Sequence, residues 1–205
     1  MSTLTLAIGR PTLSDRLFAP GLVMDVVLVA AGAALTAIAA QIAVPLWPVP
    51  ITGQTLAVLL VGSTLGALRG SLSMILYALL GMVGLPVFSD TSSGLGVIAG
   101  PTGGYIVGFI FAAAFTGWFA QRNWDHRILR AILSFLGGTV VTFAIGLPWL
   151  GVVLGLSLEA TLSAGLYPFI VGGLVKALIA AGIISLAWNR MNREDQRRAE
   201  ADLSA

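Results

Sequence analysis

The sequence predicts an all-α integral membrane protein with six transmembrane helices and both termini in the cytoplasm. Of its 205 residues, 57% are hydrophobic and 10% are charged, whereas about a quarter of the residues in a soluble domain are charged. The mean hydropathy is +0.95. Six apolar stretches alternate with segments rich in Gly, Pro or charge. The chain contains no Cys, which excludes disulfides, a thiolate nucleophile and Cys-ligated metals.

The positions of the basic residues predict the orientation. Ten of the eleven Lys and Arg residues lie in the N-terminal tail, at Arg69, in the loop 122–130, or from Arg190 onward. With six spans these segments share one side of the membrane, which the positive-inside rule assigns to the cytoplasm. We therefore expect a multi-pass protein of the cell (inner) membrane, in contact with membrane lipid.

The apolar stretches define a membrane domain over residues 22–190. We expect residues 1–21 to form a cytoplasmic tail or an interfacial helix, and residues 191–205 to form a cytoplasmic tail. A turn at Arg69–Gly70 separates the second and third spans, and Pro148 is expected to kink or end the fifth. The predicted spans cover about residues 25–44, 53–68, 71–84, 105–120, 131–154 and 168–188.

Two of these spans carry stripes of small residues. In the first span Ala recurs at three- and four-residue spacing, for example at Ala30, Ala34 and Ala37. Small residues on one face let another helix approach closely. The Ala stripe therefore indicates either packing inside this protein or docking of a partner protein in the bilayer. Gly62, Gly66 and Gly70 form a similar stripe, which we interpret as close packing.

Two helix-breaking segments lie on the side opposite the basic residues. The segment 45–55 reads PLWPVPITGQT, and the segment 85–105 holds five Gly and two Pro residues. A weakly polar connection with Glu159 falls on the same side. Irregular backbone near a membrane is tolerated where it lines a cavity or is buried in protein. We interpret these segments as an ordered cover or lining of a substrate pocket.

Lys176 is the one basic residue outside the cytoplasmic segments. It lies in the last span, where a Lys costs roughly 2.5–3.5 kcal/mol on insertion scales. Helical side chains lean towards the helix N-terminus, so its ammonium is expected to point towards the polar loops. Either it contacts a ligand, or it snorkels towards a structural partner. Asp90 and Glu159 are the acids available to neutralise it in the empty protein.

Other residues of the breaking segments could form the rest of a site. The donors and acceptors of Thr52, Gln54 and Thr55 suit an amide or ureido group, although Thr52 alone is also explained as a helix cap. Trp47, Phe88 and Tyr105 could form apolar walls or act as interfacial anchors. The sequence has no Walker A, HExxH or GxSxG motif and no nucleophile–base pair, so an enzyme is disfavoured. His126, the single His, is interpreted as a solvated loop residue.

Several motifs together resemble the BioY family, the biotin-binding S components of energy-coupling-factor (ECF) transporters. They are PVPITGQT, GLPVF, AGPTGGY followed by GF, and PFIVGGLVK, in this order over nearly the whole apolar chain. The resemblance implies a six-helix S-component fold, a biotin pocket near the outer surface and a loop that covers the vitamin. It implies biotin as the transported substrate. We expect no cofactor and no nucleic-acid partner.

The resemblance also implies partners and a docking face. A coupling transmembrane protein and a pair of ABC-type ATPases are expected to assemble with the chain, although some family members are found without dedicated partners and function alone is the alternative. The face with Ala30, Ala34 and Ala37 is expected to dock the coupling protein. The expected ligand site is Lys176, Gln54, Thr52, Asp90, Tyr105, Phe88, Gly103 and Gly104. The family commonly has an acid where this chain has Gly173, and Asp90 and Gln54 are the residues that could supply that acceptor here. An S component for another vitamin, or a structural subunit without a ligand, remains an alternative function.

Overall fold

The computed structural model describes residue 6 and residues 9–204 of the chain. Within this part, nine α-helices and one short β-hairpin follow each other along the chain. The elements are α1 (Leu13–Leu17), α2 (Leu22–Ala40), β1 (Ala43–Val44), β2 (Ile51–Thr52), α3 (Gln54–Leu65), α4 (Ala67–Met82), α5 (Leu95–Ala99), α6 (Gly103–Ala120), α7 (Ile128–Leu154), α8 (Leu158–Gly165) and α9 (Tyr167–Ser204).

Four of the described helices are long and apolar enough to cross a membrane. They are α2, α6, α7 and α9, and each contains an apolar window of 18 residues. The apolar helices α3 and α4 are shorter, with 12 and 16 residues. At 1.5 Å per residue they measure about 18 and 24 Å, less than the roughly 30 Å hydrocarbon core of a bilayer.

The turn between α3 and α4 lies at Gly66, so the prediction of a turn at Arg69–Gly70 is wrong. Gly66 has φ +86°, a backbone conformation that favours glycine. Gly62 and Gly70 flank the turn, and a Cβ on Gly70 would lie 3.0 Å from Cα of Gly62. Two members of the predicted Gly stripe thus bring α3 and α4 together, while the third forms their turn.

α6 lies at the centre of the bundle, between α3, α4 and α7. It packs closely because its neighbours meet it at glycines. A Cβ on Gly62 of α3 would lie 2.5 Å from the carbonyl oxygen of Ala113. A Cβ on Gly108 of α6 would lie 2.9 Å from the carbonyl oxygen of Thr142 in α7. These contacts fix the positions of the helices that surround the cavity described below.

The second half of the chain is more helical than predicted. α7 continues through Pro148 to Leu154 without a break. The expected polar connection is helix α8, which Ser157 caps by accepting a hydrogen bond from the N–H of Ala160 at 3.3 Å. The last span and the predicted polar tail form one helix, α9, of 38 residues. The helix-breaking segment after α2 also has regular secondary structure, because β1 and β2 pair as an antiparallel hairpin.

Arg69 joins three elements at the end of the bundle where α2 begins. It is 4% exposed, and its guanidinium contacts Asp15 of α1 at 2.6 Å and Asp25 of α2 at 3.1 Å. The Gly66 turn is at the same level, since the N–H of Ala67 donates to Oε1 of Gln121 at 3.4 Å. The start of α2, the α3–α4 turn and the end of α6 therefore share one end of the bundle.

The loop after α6 is also held at this end. Trp188 of α9 donates from Nε1 to Oδ2 of Asp125 at 2.8 Å, and His126 lies against the Trp188 ring. Burial of the carboxyl group raises the pKa of Asp125 to about 6. Burial, with a smaller contribution from the positive charge of Arg16, lowers the pKa of His126. His126 is half-buried, so its interpretation as a solvated loop residue is wrong.

Candidate functional site

A cavity lies at the opposite end of the bundle, beneath the hairpin and the segment that joins α4 to α6. We call residues 83–102 of this segment the cover loop. The space between its walls that no protein atom occupies measures about 520 Å³, including the part at the mouth that is open to solvent. Its walls come from β2, the start of α3, the cover loop, α6, α7 and α9. The lining residues are Val49, Pro50, Thr52, Gln54, Thr55, Phe88, Ser89, Val97, Thr102, Tyr105, Ile106, Phe109, Phe143, Phe169 and Lys176.

Lys176 forms one polar corner of the cavity. Its Nζ donates to the carbonyl oxygen of Thr52 at 2.5 Å and to Oγ1 of Thr55 at 3.1 Å. An ammonium has three donors, and these two contacts leave one for a ligand. Within residues 9–204 no carboxylate forms an ion pair with Lys176. Asp90 and Glu159 therefore do not neutralise it in this structure, although the sequence offered both.

Gln54 forms a second polar corner, next to Lys176. Its Oε1 accepts from Oγ1 of Thr52 at 2.7 Å, and its Nε2 donates to the phenol oxygen of Tyr77 at 2.5 Å. Oγ1 of Thr52 also accepts from the N–H of Gln54 at 3.3 Å. The N-cap of α3 is Gly53, without a side-chain cap hydrogen bond, so the interpretation of Thr52 as the helix cap is wrong. These contacts fix the orientation of the amide, whose remaining N–H is available to an acceptor.

Aromatic rings make the apolar walls. Tyr105, Phe143 and Phe169 contact one another with centroid distances of 5.8 to 6.4 Å. Tyr105 is held from outside the cavity, because its phenol donates to the carbonyl oxygen of Gly165 at 2.9 Å. Phe88 packs edge-on against Tyr77 at 5.4 Å. The cavity therefore suits a small ligand with an apolar body and hydrogen-bonding groups at one end.

Five of the eight predicted ligand residues line the cavity: Lys176, Gln54, Thr52, Tyr105 and Phe88. The other three lie elsewhere in the structure. Asp90 is exposed on the outer side of the cover loop. Gly103 and Gly104 begin α6 and serve packing, because a Cβ on Gly104 would lie 2.2 Å from Cβ of Trp149.

Trp47 also lies outside the cavity walls, with 85% of its surface exposed. The residues that the sequence did not indicate are mostly apolar. Phe109, Phe143 and Phe169 lie in apolar stretches, where an aromatic residue is ordinary and carries no separate signal. Tyr77 of α4 supports the site through its contact with Gln54. The one sequence signal for this role is a polar phenol group inside an apolar span.

Gly173 faces α7 beside the cavity. A Cβ there would lie 3.5 Å from Cγ2 of Thr139, and Gly173 is absent from the cavity lining. In this chain the polar groups therefore come from Lys176 of α9 and from the start of α3.

The predicted docking stripe on α2 divides between two faces. Ala30 and Ala34 are exposed and Ala37 is half-buried, whereas Ala33 and Ala40 are fully buried against the bundle. The packing interpretation of the stripe therefore holds for Ala33 and Ala40, while docking at the exposed alanines stays a prediction. Some of the alanines pack inside the protein, and the others leave an open face of low relief on α2.

The chain folds into a helical membrane bundle, and the cavity at one end of it has apolar walls and hydrogen-bonding groups. These features assign the chain to the class of membrane proteins that bind small molecules. Within this class the chain belongs to the BioY family, whose model matches residues 10–193. The sequence resemblance is thereby confirmed.

Known relatives and a solved structure agree with this membership. A biotin transporter BioY of Rhizobium etli is 40% identical over 65% of this chain and 75% of its own length. A probable biotin transporter BioY of Pyrococcus horikoshii is 40% identical over 76% of this chain and 91% of its own. The S-component for biotin from an ECF-type ABC transporter superimposes with a TM-score of 0.70, at 26% identity over 83% of this chain and 92% of that one.

Proposed function

We propose that this chain is the biotin-binding S component of an ECF-type vitamin uptake transporter. The observation that carries the proposal is the cavity, in which Lys176 and Gln54 present polar groups beside aromatic walls. A ureido ring and a carboxylate need such donors and acceptors, and a thioether ring with an aliphatic chain needs apolar walls. The chain is a transport subunit and not an enzyme, and biotin is its substrate.

Lys176, Gln54 and Thr52 are proposed as polar ligand contacts, and Tyr105 and Phe88 as walls. Of the three residues outside the cavity, Asp90 would contact the ligand only after the cover loop moves. Gly103 and Gly104 would act indirectly, since Gly103 lets α6 begin close to Ile98 of α5 and Gly104 lets it begin close to α7. The second donor on Gln54 Nε2 is the proposed partner of the ureido carbonyl.

Thermal unfolding with and without biotin tests the function. A ligand at a hundred times its dissociation constant adds about 2.7 kcal/mol to the stability of the folded state, so the melting temperature should rise by several degrees. Unlabelled vitamins of other classes serve as competitors. A rise with another vitamin and none with biotin would favour a different substrate. No rise with any vitamin would favour a structural subunit without a ligand.

We further propose six membrane crossings, with residues 22–190 in the cell (inner) membrane and both termini in the cytoplasm. The argument is that the short helices α3 and α4 meet at the level where α6 ends, since Ala67 bonds to Gln121. The helix pair α3–α4 therefore reaches as far across the bundle as the full span α6. The polar end of α9, from residue 191 onward, would then project as a helix into the cytoplasm.

A coupling transmembrane protein and ABC-type ATPases are the proposed partners. The chain itself has no Walker A motif, so the energy for concentrative uptake must come from elsewhere. The open face of α2 with Ala30, Ala34 and Ala37 is the proposed docking surface, because small residues permit close approach of a second helix.

Ala34→Trp is expected to block assembly with a coupling protein and to leave biotin affinity within about two-fold, because Ala34 is exposed and does not line the cavity. Co-purification of the complex and a binding isotherm measure the two effects. Ala33→Trp is the matched contrast, since Ala33 is buried and the larger ring should disrupt folding. If Ala34→Trp assembles normally, this face is not the docking surface.

A further inference from the structure

Gln41, the residue after α2, holds the cover loop with its side-chain amide. Nε2 donates to the carbonyl oxygen of Phe88 at 3.0 Å, and Oε1 accepts from the N–H of Thr91 at 3.1 Å. Nε2 also donates to the carbonyl oxygen of Ala37 at 3.1 Å, which fixes the amide against α2. One side chain thus bridges two backbone groups of a four-residue turn and ties them to a membrane helix.

The turn held by Gln41 is strained. Asp90 has φ +55° and Thr91 has φ +54°. A left-handed backbone is uncommon outside glycine, and for a β-branched residue such as Thr91 it is an outlier. Conformations of this kind persist only where the surrounding contacts impose them. Gln41 donates one hydrogen bond to this turn and accepts another from it, and the two bonds lie on either side of the strained residues. They supply such contacts together with the backbone hydrogen bond of 3.1 Å from the N–H of Phe88 to the carbonyl oxygen of Ser92.

The same turn closes one side of the cavity. Phe88 and Ser89, at its start, line the cavity. The Phe88 ring is 1% exposed and lies in a notch at Gly81, where a Cβ would be only 2.0 Å from the ring. The far end of the cover loop is held separately, by a hydrogen bond of 3.0 Å from Trp149 Nε1 to the carbonyl oxygen of Gly100. The middle of the loop is held by a backbone hydrogen bond of 2.7 Å from the N–H of Gly94 to the carbonyl oxygen of Gly81. Release of the turn would therefore open the cavity only beside residues 89–93, at the α2 side.

We infer that Gln41 is a latch: a positioning residue that keeps the strained turn closed over the cavity and so sets the rate at which the ligand leaves. It acts through the backbone of the turn and does not line the cavity. The ligand in this statement is biotin, which rests on the proposed function. Without the amide, the turn can relax to ordinary backbone conformations, and the cover loop spends more time open.

Dissociation of labelled biotin from the purified full chain tests the latch. Gln41→Ala is expected to speed dissociation by about 5- to 30-fold, the factor that corresponds to one or two kcal/mol. Ile42→Ala is the matched control, because Ile42 is the next residue, is 71% exposed and should leave the rate unchanged. Adding Thr91→Asn to Gln41→Ala should slow dissociation again, since Asn tolerates a left-handed backbone better than Thr.

A second measurement needs no ligand. The chain has no native Cys, so Ile106→Cys places a single thiol in the cavity wall, and its reaction with a water-soluble thiol reagent reports opening. Gln41→Ala should accelerate this labelling, and hydrogen exchange of the amides of residues 88–92 should accelerate with it. Exchange also reports opening if the Cys variant does not fold.

The outcomes separate the latch from the proposed function. Unchanged dissociation, labelling and exchange in Gln41→Ala would overturn the latch. A lower melting temperature with unchanged dissociation and exchange would also overturn it, because Gln41 would then serve only stability. If the wild-type chain binds no biotin, the proposed function fails, while labelling and exchange still decide whether Gln41 holds the turn.

Discussion

Lys176 is the residue on which the electrostatics of the cavity depend. It is half-buried in a membrane helix, and its described partners are the neutral oxygens of Thr52 and Thr55. A cation with only neutral partners is incompletely compensated, which favours an anionic or strongly accepting ligand group beside it. The sequence suggested this role because a lone Lys in an apolar stretch is costly. Its neutral partners could not be predicted, because β2 and α9 are far apart in the chain.

Lys176→Met should weaken biotin binding by roughly 1.5–3 kcal/mol, the usual value of a hydrogen bond to a charged group. The melting temperature of the empty protein should stay the same or rise. Within residues 9–204 no carboxylate pairs with Lys176, so none loses a partner, and the cost of burying a cation disappears. Binding isotherms and melting curves on one preparation measure both effects. Arg190→Met, at an exposed position of the same helix, is the control. Unchanged affinity with a lower melting temperature would exclude Lys176 as a ligand contact.

Asp125 gives a pH dependence outside the membrane spans. Its pKa in the folded protein is about 6, above the roughly 3.9 of an unfolded Asp. Between these values the folded state binds more protons than the unfolded state, so stability falls as the pH rises from about 4 to about 6. Asp125→Asn should therefore stabilise the protein by on the order of 2 kcal/mol above pH 6, and much less near pH 4.

Melting curves across this pH range check the prediction. His126 acts in the opposite direction, because a lowered pKa makes stability rise as the pH rises towards its ordinary value. Asp125 and Asp125→Asn are therefore compared in proteins that also carry His126→Gln. Of these two neighbouring residues, Asp125 is then the only one that can change its charge. A stability gain from Asp125→Asn that is equal at both ends of the range would show that the cause is packing and not charge.

At the scale of elements, Arg69 is the residue that fixes α1 and α2 to α4. Its partners Asp15 and Asp25 lie 54 and 44 residues away in sequence. The pattern of charges identified Arg69 as a basic residue near the cytoplasmic side, but it could not show that the side chain is buried in an ion-pair network. The Gly66 turn was missed for a similar reason, because three glycines at equal spacing offer no local signal for the one that reverses the chain.

Arg69→Leu should destabilise the protein by about 3–5 kcal/mol, because it removes the buried cation that pairs with Asp15 and with the buried Asp25. Arg16→Leu is the matched control: Arg16 also pairs with an acid, Asp195 at 3.2 Å, but both side chains are about half exposed. An exposed pair of this kind is worth about 0–1 kcal/mol. Thermal unfolding of both variants measures the difference. Equal effects would mean that burial of the Arg69 pairs adds nothing to stability.

At the scale of the whole molecule, hydropathy predicted the positions of the apolar helices better than the structure of the segments that connect them. All six predicted apolar stretches correspond to helices, because an apolar run of this kind can satisfy its backbone in a membrane only as a helix. The hairpin, α5 and α8 were not predicted, since they are short and their formation depends on neighbouring elements. The cavity follows from the meeting of these short elements with α6, α7 and α9, which no local pattern shows.

Topology is the property of the whole molecule that remains to be measured, and the chain suits the measurement because it has no Cys. Thiols introduced at the exposed positions Ser93 and Ser163 should react with an impermeant reagent applied outside the cell. A thiol at the exposed Gln196 should react only in inverted vesicles.

Ala67→Cys, at the α3–α4 turn, distinguishes six crossings from four. Because Ala67 bonds to Gln121 at the end of α6, we expect its thiol to react from the cytoplasmic side, like the thiol at Gln196. If it reacts only from outside, α3 and α4 form a hairpin that enters and leaves the membrane on one face, and the chain has four crossings. Reversed labelling of Ser93 and Gln196 would instead overturn the orientation while leaving the number of crossings open to the Ala67 result.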